Sequence, residues 1–130
     1  MKIAIVSDIH GNMDAWRGFV EDYDELWVLG DLVNYGPQPE LVVREVMERA
    51  TLVVQGNHDY AVAYGDDSLW RRRYRMMAET TRKFTSGSLQ TAELDYLRRL
   101  PQQLETERVG VRFHLVHAMP SNPLWGSLAP

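Results

Sequence analysis

Leu26-Trp27-Val28-Leu29 runs directly into Gly30-Asp31. A short apolar run that stops on a glycine and a carboxylate reads as a buried strand ending in a turn. The same pattern occurs on either side of it. Ile3-Ala4-Ile5-Val6 leads into Asp8-Ile9-His10, and Leu52-Val53-Val54 leads into Gly56-Asn57-His58-Asp59. Three strand ends therefore offer carboxylate, imidazole and amide groups. Asp8 and His10 are two residues apart, so both side chains fall on one side of the chain. Ligands of open α/β sheets sit beyond the carboxyl ends of the strands, where all three motifs lie. A donor set of oxygen and nitrogen without thiolate suits Mn²⁺, Fe, Zn²⁺, Ni²⁺ or Mg²⁺.

Outward from these motifs the pattern predicts an α/β chain. Residues 2–6 read as a strand buried on both faces, because the run is continuously apolar. Asn12 caps a helix with Met13, Trp16 and Val20 on one face. Residues 25–29 form the second strand. Pro39 suits the first turn of a helix that carries Leu41, Val42, Val43, Val46, Met47 and Ala50. Residues 51–54 form the third strand. This β-α-β-α-β order with short connections predicts a parallel sheet. Beyond it, residues 64–69 read as loop, 70–85 as helix, and 92–99 as a helix capped by Thr91 and ended by Pro101. Residues 104–116 read as an antiparallel hairpin turning at Gly110.

The totals narrow the class. At 130 residues the expectation is one domain over 1–130. Apolar content of 45% and charged content of 25% suit a soluble globular chain. No apolar run approaches the roughly 20 residues of a membrane helix. The absence of cysteine excludes disulfides and thiolate metal sites, and goes with a cytoplasmic setting. A net charge of −4 disfavours nucleic acid as partner.

In order, Asp8-x-His10, Gly30-Asp31, Gly56-Asn57-His58-Asp59 and an isolated His117 resemble the calcineurin-like metallophosphoesterases. Gly30-Asp31-Leu32-Val33-Asn34-Tyr35-Gly36-Pro37 is most similar to the small prokaryotic branch of phosphodiesterases and diadenosine-tetraphosphatase-like proteins. The resemblance implies an α/β/β/α sandwich. It implies two divalent cations, with Mn²⁺ foremost. Asp8, His10 and Asp31 would hold one, and Asp31, Asn57 and His117 the other. A hydroxide bridging the two would attack a small phosphoester, a phosphodiester in kind. His58 would stabilise the phosphoryl oxygens or protonate the leaving group, and Asp59 would hold its ring through the other nitrogen. The resemblance also implies a later GHxH motif with one further imidazole for each cation. The four histidines here are His10, His58, His114 and His117, and none lies in such a motif. The chain is therefore expected to represent a partial sandwich, short of the family's C-terminal part.

Two readings of function follow. One is a metal-dependent phosphoesterase, its activity impaired by the missing imidazoles. The other is an inactive member of the fold serving as a binding module. A haloacid-dehalogenase-like phosphatase fails, because Ile9-His10 replaces the second Asp which that chemistry requires. Among the remaining residues, His114 reads as structural. Arg71-Arg72-Arg73 and Arg75 read as a solvated helix face, with a phosphate-binding role as the alternative. Trp70, Tyr74 and Phe84 read as packing residues. Asn34 reads as a left-handed turn residue or as part of the site wall. Parallel strands that are apolar on both faces leave one face to be covered by a second copy or another partner.

Overall fold

The computed structural model describes residues 1–66, 68, 70 and 72–127, with Arg72, Arg73 and Tyr74 described as backbone only. Three parallel strands, β1 (Ile3–Val6), β2 (Glu25–Val28) and β3 (Leu52–Val53), form a sheet in the order β1-β2-β3. Helix α1 (Met13–Gly18) connects the first two, and α2 (Pro39–Arg49) the second pair. Three helices follow: α3 (Asn57–Tyr64), α4 (Arg72–Ser88) and α5 (Thr91–Arg99). An antiparallel hairpin, β4 (Gln103–Arg108) and β5 (Val111–Val116), closes the order.

Side chains alternate across the parallel sheet, as period-two geometry requires. Leu26, Val28 and Val53 enter a core with Met13 and Trp16 of α1, Val42, Val43 and Val46 of α2, and Leu97 of α5. Trp27 and Val54 point the other way and pack with Leu115, Leu104 and Phe113 of the hairpin. The result is helices, parallel sheet and hairpin in layers. Trp27 is 1% exposed, and its ring meets Phe113 edge-on at 5.1 Å. Arg108, at the hairpin tip, forks onto Glu25 with Nε–Oε2 at 2.6 Å and Nη2–Oε1 at 3.0 Å. The hairpin is thus anchored to β2 along its whole length.

Several expectations are corrected. β1 is not buried on both faces: it is an edge strand, and Ile5 is 54% exposed. The hairpin covers β2 and β3 on that side but leaves Ile5 open. Helix α1 stops at Gly18, so Val20 lies outside it and is 81% exposed. Asn12 does cap α1, accepting from Ala15 N–H at 3.0 Å. Thr91 does not cap α5. It is the first helical residue, and Gln90 is the cap. Helix α3 has no counterpart in the sequence reading, which took Gly56-Asn57-His58-Asp59 only as a motif. Phe84 is 52% exposed rather than packed, whereas Trp70 is buried. Arg71 and the side chains of Arg72, Arg73 and Tyr74 lie outside the described residues, as do residues 128–130.

Trp27→Ala removes the largest fully buried side chain between the two sheets. It is expected to cost about 3–5 kcal/mol, the usual range for a buried aromatic truncated to alanine. Urea denaturation monitored by circular dichroism measures it.

Candidate metal centre

The three strand-end loops converge because they continue to pair beyond the strands. Asp8 N–H donates to Gly30 O at 3.0 Å, His10 N–H to Asp31 O at 3.0 Å, and Gly11 N–H to Leu32 O at 2.8 Å. The first loop therefore runs alongside the second through both motifs. The backbone takes unusual angles to do so. Asp8, His10, Asp31, Asn34 and Tyr35 all have positive φ, between 47° and 69°. Such conformations cost roughly 1–3 kcal/mol each outside glycine and persist only where surrounding contacts over-determine them. Gly56 has no room for a side chain, since a Cβ there would overlap Asp31 N and Oδ1.

Asp59 supplies those contacts. It is fully buried, and its carboxylate accepts three backbone N–H bonds: Asp31 at 2.8 Å, Leu32 at 2.9 Å and Gly56 at 2.9 Å. It thereby clamps the loop after β2 to the start of α3. Burial and the nearby Asp31 charge push its carboxyl above the ordinary range, while the three donors pull it back toward the ionised form. This corrects the role assigned from the resemblance. Asp59 does not hold the His58 ring.

Asn34 takes that place. Its side chain is completely buried, and Nδ2 donates to His58 Nδ1 at 2.9 Å. In this arrangement the proton of the neutral imidazole sits on Nε2. Burial is the main cause holding His58 down, to about 4, with His10 and His117 acting in the same direction. The ring is enclosed by Trp70 at 4.3 Å, Tyr35 at 4.8 Å and His10 at 4.9 Å.

Asp31 lies at the centre. Its Oδ1 accepts from His58 N–H at 3.0 Å. Its Oδ2 is 3.5 Å from His10 Nε2 and 3.2 Å from His117 Nε2, while His10 Nε2 is also 3.5 Å from Asp8 Oδ1. Two ligands each about 2.1 Å from a tetrahedral cation stand about 3.4 Å apart, so these separations match neighbouring ligands. Both imidazoles are turned for the purpose. His10 Nδ1–H donates to Val33 O at 2.8 Å, and His117 Nδ1–H to Leu29 O at 2.7 Å. Each ring so offers Nε2, which is how histidine ligands are commonly oriented. Burial opposes charge on His117, but the Asp31 carboxylate outweighs it and lifts the ring to about 9. Asp8 is held well below the usual carboxylate range, chiefly by His10.

Asn57 brings its side-chain amide beside the same groups, 3.2 Å from both Asp31 oxygens and 3.1 Å from His117 Nε2, so the donor set is carboxylate, imidazole and amide. The residues present thus fit divalent cations. Asp8, Asp31 and His117 form one cluster with ligand atoms within 4.8 Å, and His10, Asp31 and His58 form another. The structure brings together all seven residues singled out from the sequence. It groups His58 with His10 and Asp31, although the resemblance leaves His58 out of both ligand sets, and it places His114 away from the cluster on the hairpin, against Gln103 Oε1 at 2.8 Å. The sequence reading missed the Asn34–His58 contact and the clamp made by Asp59. An acidic side chain three residues after Gly56 is an N-terminal capping pattern, and it could have revealed the clamp.

The calcineurin-like phosphoesterase profile matches residues 1–127. The chain belongs to that family. An uncharacterized protein of Methanocaldococcus jannaschii is 33% identical over 135 residues, covering 98% of this chain and 54% of the relative. A symmetrical bis(5′-nucleosyl)-tetraphosphatase of Nitrosococcus oceani is 32% identical over 129 residues, covering 91% of this chain and 44% of the relative. The crystal structure of a metallophosphoesterase from Sphaerobacter thermophilus superposes with a TM-score of 0.78 at 32% identity, covering 98% of this chain and 51% of that one. This phosphoesterase-family chain spans about half the length of the curated relatives it matches.

Asp59→Ala strands three buried N–H groups, at roughly 1–3 kcal/mol each. A loss of at least ~3 kcal/mol is expected in urea denaturation, with Mn²⁺ binding lost alongside. Asp31→Asn is expected to weaken Mn²⁺ at both sites in calorimetric titration, whereas Asn57→Ala weakens one.

Proposed function

We propose that this chain carries a two-cation site for hydrolysis of small phosphoesters, phosphodiesters in kind. The observation behind the reading is Asp31 Oδ2, which faces His10 from one sheet layer and His117 from the other. A carboxylate oxygen flanked by two oriented imidazoles is suited to bridge a pair of cations. Asp8 and His10 with Asp31 would hold one, and Asn57 and His117 with Asp31 the other, with Mn²⁺ foremost. Bound there, divalent cations supply an activated water and neutralise charge for in-line attack at phosphorus. His58, a neutral ring with its N–H on Nε2, would donate a hydrogen bond to a phosphoryl or leaving oxygen and stabilise the charge developing there. Asn34 fixes that tautomer from the opposite side of the ring. Trp70 and Tyr35 keep water from the imidazole. Relatives named for bis(5′-nucleosyl) tetraphosphates make nucleotide phosphoesters the class to try first.

Asp8, His10, Asp31, Asn57 and His117 would give three protein donors to each cation, Asp31 counted in both. The exposed Ile5 face of β1 is the surface on which a second copy or another partner would pack. Among the described residues no helix is long and apolar enough to cross a membrane. A cytoplasmic setting accords with the lack of cysteine.

With Mn²⁺ and bis(p-nitrophenyl) phosphate, cation-dependent release of nitrophenolate is expected. His58→Ala should lower it by roughly 10²–10³-fold, the usual effect of removing one preorganised hydrogen-bond donor to developing charge. A chain that binds Mn²⁺ yet hydrolyses none of a panel of phosphoesters would instead support the binding-module reading. Light scattering at micromolar concentration is expected to show a species larger than the 15.0 kDa chain.

A further inference from the structure

A groove of about 390 Å³ opens beside the metal centre, walled by Asp8, His10, Asn12, Asp14, Tyr35 and Gln38 among others. Its size suits a small ligand portion. Its walls are fixed. Gln38 N–H donates to Gly11 O at 3.0 Å, and Tyr35 sits at φ 64° directly after Asn34 at φ 69°. Tyr35 is 43% exposed, although its ring meets His10 and His58 edge-on at 4.9 Å and 4.8 Å. An aromatic ring held in a strained backbone beside His58, and still open to a groove, is positioned to touch what is bound there.

The charge of the groove narrows the occupant. Among the described residues that line it there is no Lys or Arg, and Asp14 adds a carboxylate beyond the metal ligand Asp8. Among the described lining residues a second phosphate would find no Lys or Arg and would meet that carboxylate. An uncharged group has no such penalty. Asn12 and Gln38 offer amide groups, and Tyr35 offers a π surface.

We propose that this groove seats a nucleoside carried directly on the phosphorus under attack, with Tyr35 as the stacking surface for its base. The inference rests on the phosphoesterase reading above and specifies its substrate. Tyr35 is then a specificity residue, and the preferred bond is one at a nucleotide's own phosphate rather than one deep within a polyphosphate chain. The groove lies against His10 and Asp8, so a group bound there hangs from a phosphoryl group at the Asp31 cluster.

The test compares AMP with ribose 5-phosphate, which differ in the base. Competition binding to the full chain loaded with Mg²⁺ should favour AMP by about tenfold, within the range of one base–aromatic stack. Tyr35→Phe should keep that ratio, and Tyr35→Leu should bring it close to one. A ratio taken within a single preparation does not depend on the folded fraction. Independently, the wild-type complex with AMP should give nuclear Overhauser contacts between adenine H8 or H2 and the Tyr35 ring. An unchanged ratio in Tyr35→Leu, or adenine contacts only to other residues, overturns the proposal while leaving the phosphoesterase reading intact. Inorganic phosphate that binds equally well with and without Mg²⁺ overturns both.

Discussion

The buried carboxylate of Asp59 is the constraint on which the site depends. It faces no cation and no imidazole. It gathers three N–H groups, two from the loop after β2 and one from the residue that opens α3. These are the groups left unpaired where a strand ends and a helix begins. Without a shared acceptor each would be buried and unsatisfied, and the two loops would separate. With it, Asp31 is fixed from its own backbone, and its side chain is fixed again by His58 N–H. Position and orientation of the central carboxylate thus come from hydrogen bonds made by neighbours in the motif, not from a ligand.

This arrangement explains the cluster of left-handed residues. Asp8, His10 and Asp31 need positive φ because the chain must turn sharply while keeping the loops paired. Asp8, His10, Asp31 and Asn34 are residue types enriched in that region, and Tyr35 alone among the five is not. The expense is local, and it is offset by the ladder between the first two loops and by the Asp59 clamp. Helix α3 follows from the same geometry. Gly56 fits closely against Asp31, and Asn57 and His58 open the first turn, where free N–H groups face the cluster.

Much of this was legible in the sequence. Apolar runs ending in Asp8-x-His10, Gly30-Asp31 and Gly56-Asn57-His58-Asp59 showed the strands, their parallel order and the end at which the side chains meet. The hairpin was legible from alternation around Gly110. What composition and spacing do not carry is which donor meets which acceptor across 24 or 27 positions, as Asn34 meets His58 and Leu32 meets Asp59. Exposure on β1 was also misread. A continuous apolar run marks what a strand can bury, and among the described residues none covers Ile5, which stays 54% exposed. Val20 and Phe84 were misread for the same reason, since periodicity shows a face but not whether a neighbour reaches it.

His117 reaches the centre from the end of the hairpin, and its ring is set by a carbonyl 88 residues earlier in the chain. The proposed ligand set therefore spans nearly the entire polypeptide, from Asp8 to His117. A cation gripping both ends would close one long loop, and the entropy of closing such a loop is lost from the unfolded ensemble only once, whatever the path between. Cation binding and docking of the hairpin would consequently be linked: a change that leaves the hairpin only partly docked would lower the apparent cation affinity in proportion to the docked fraction. The centre doubles as a gauge of whether the two sheets are in contact.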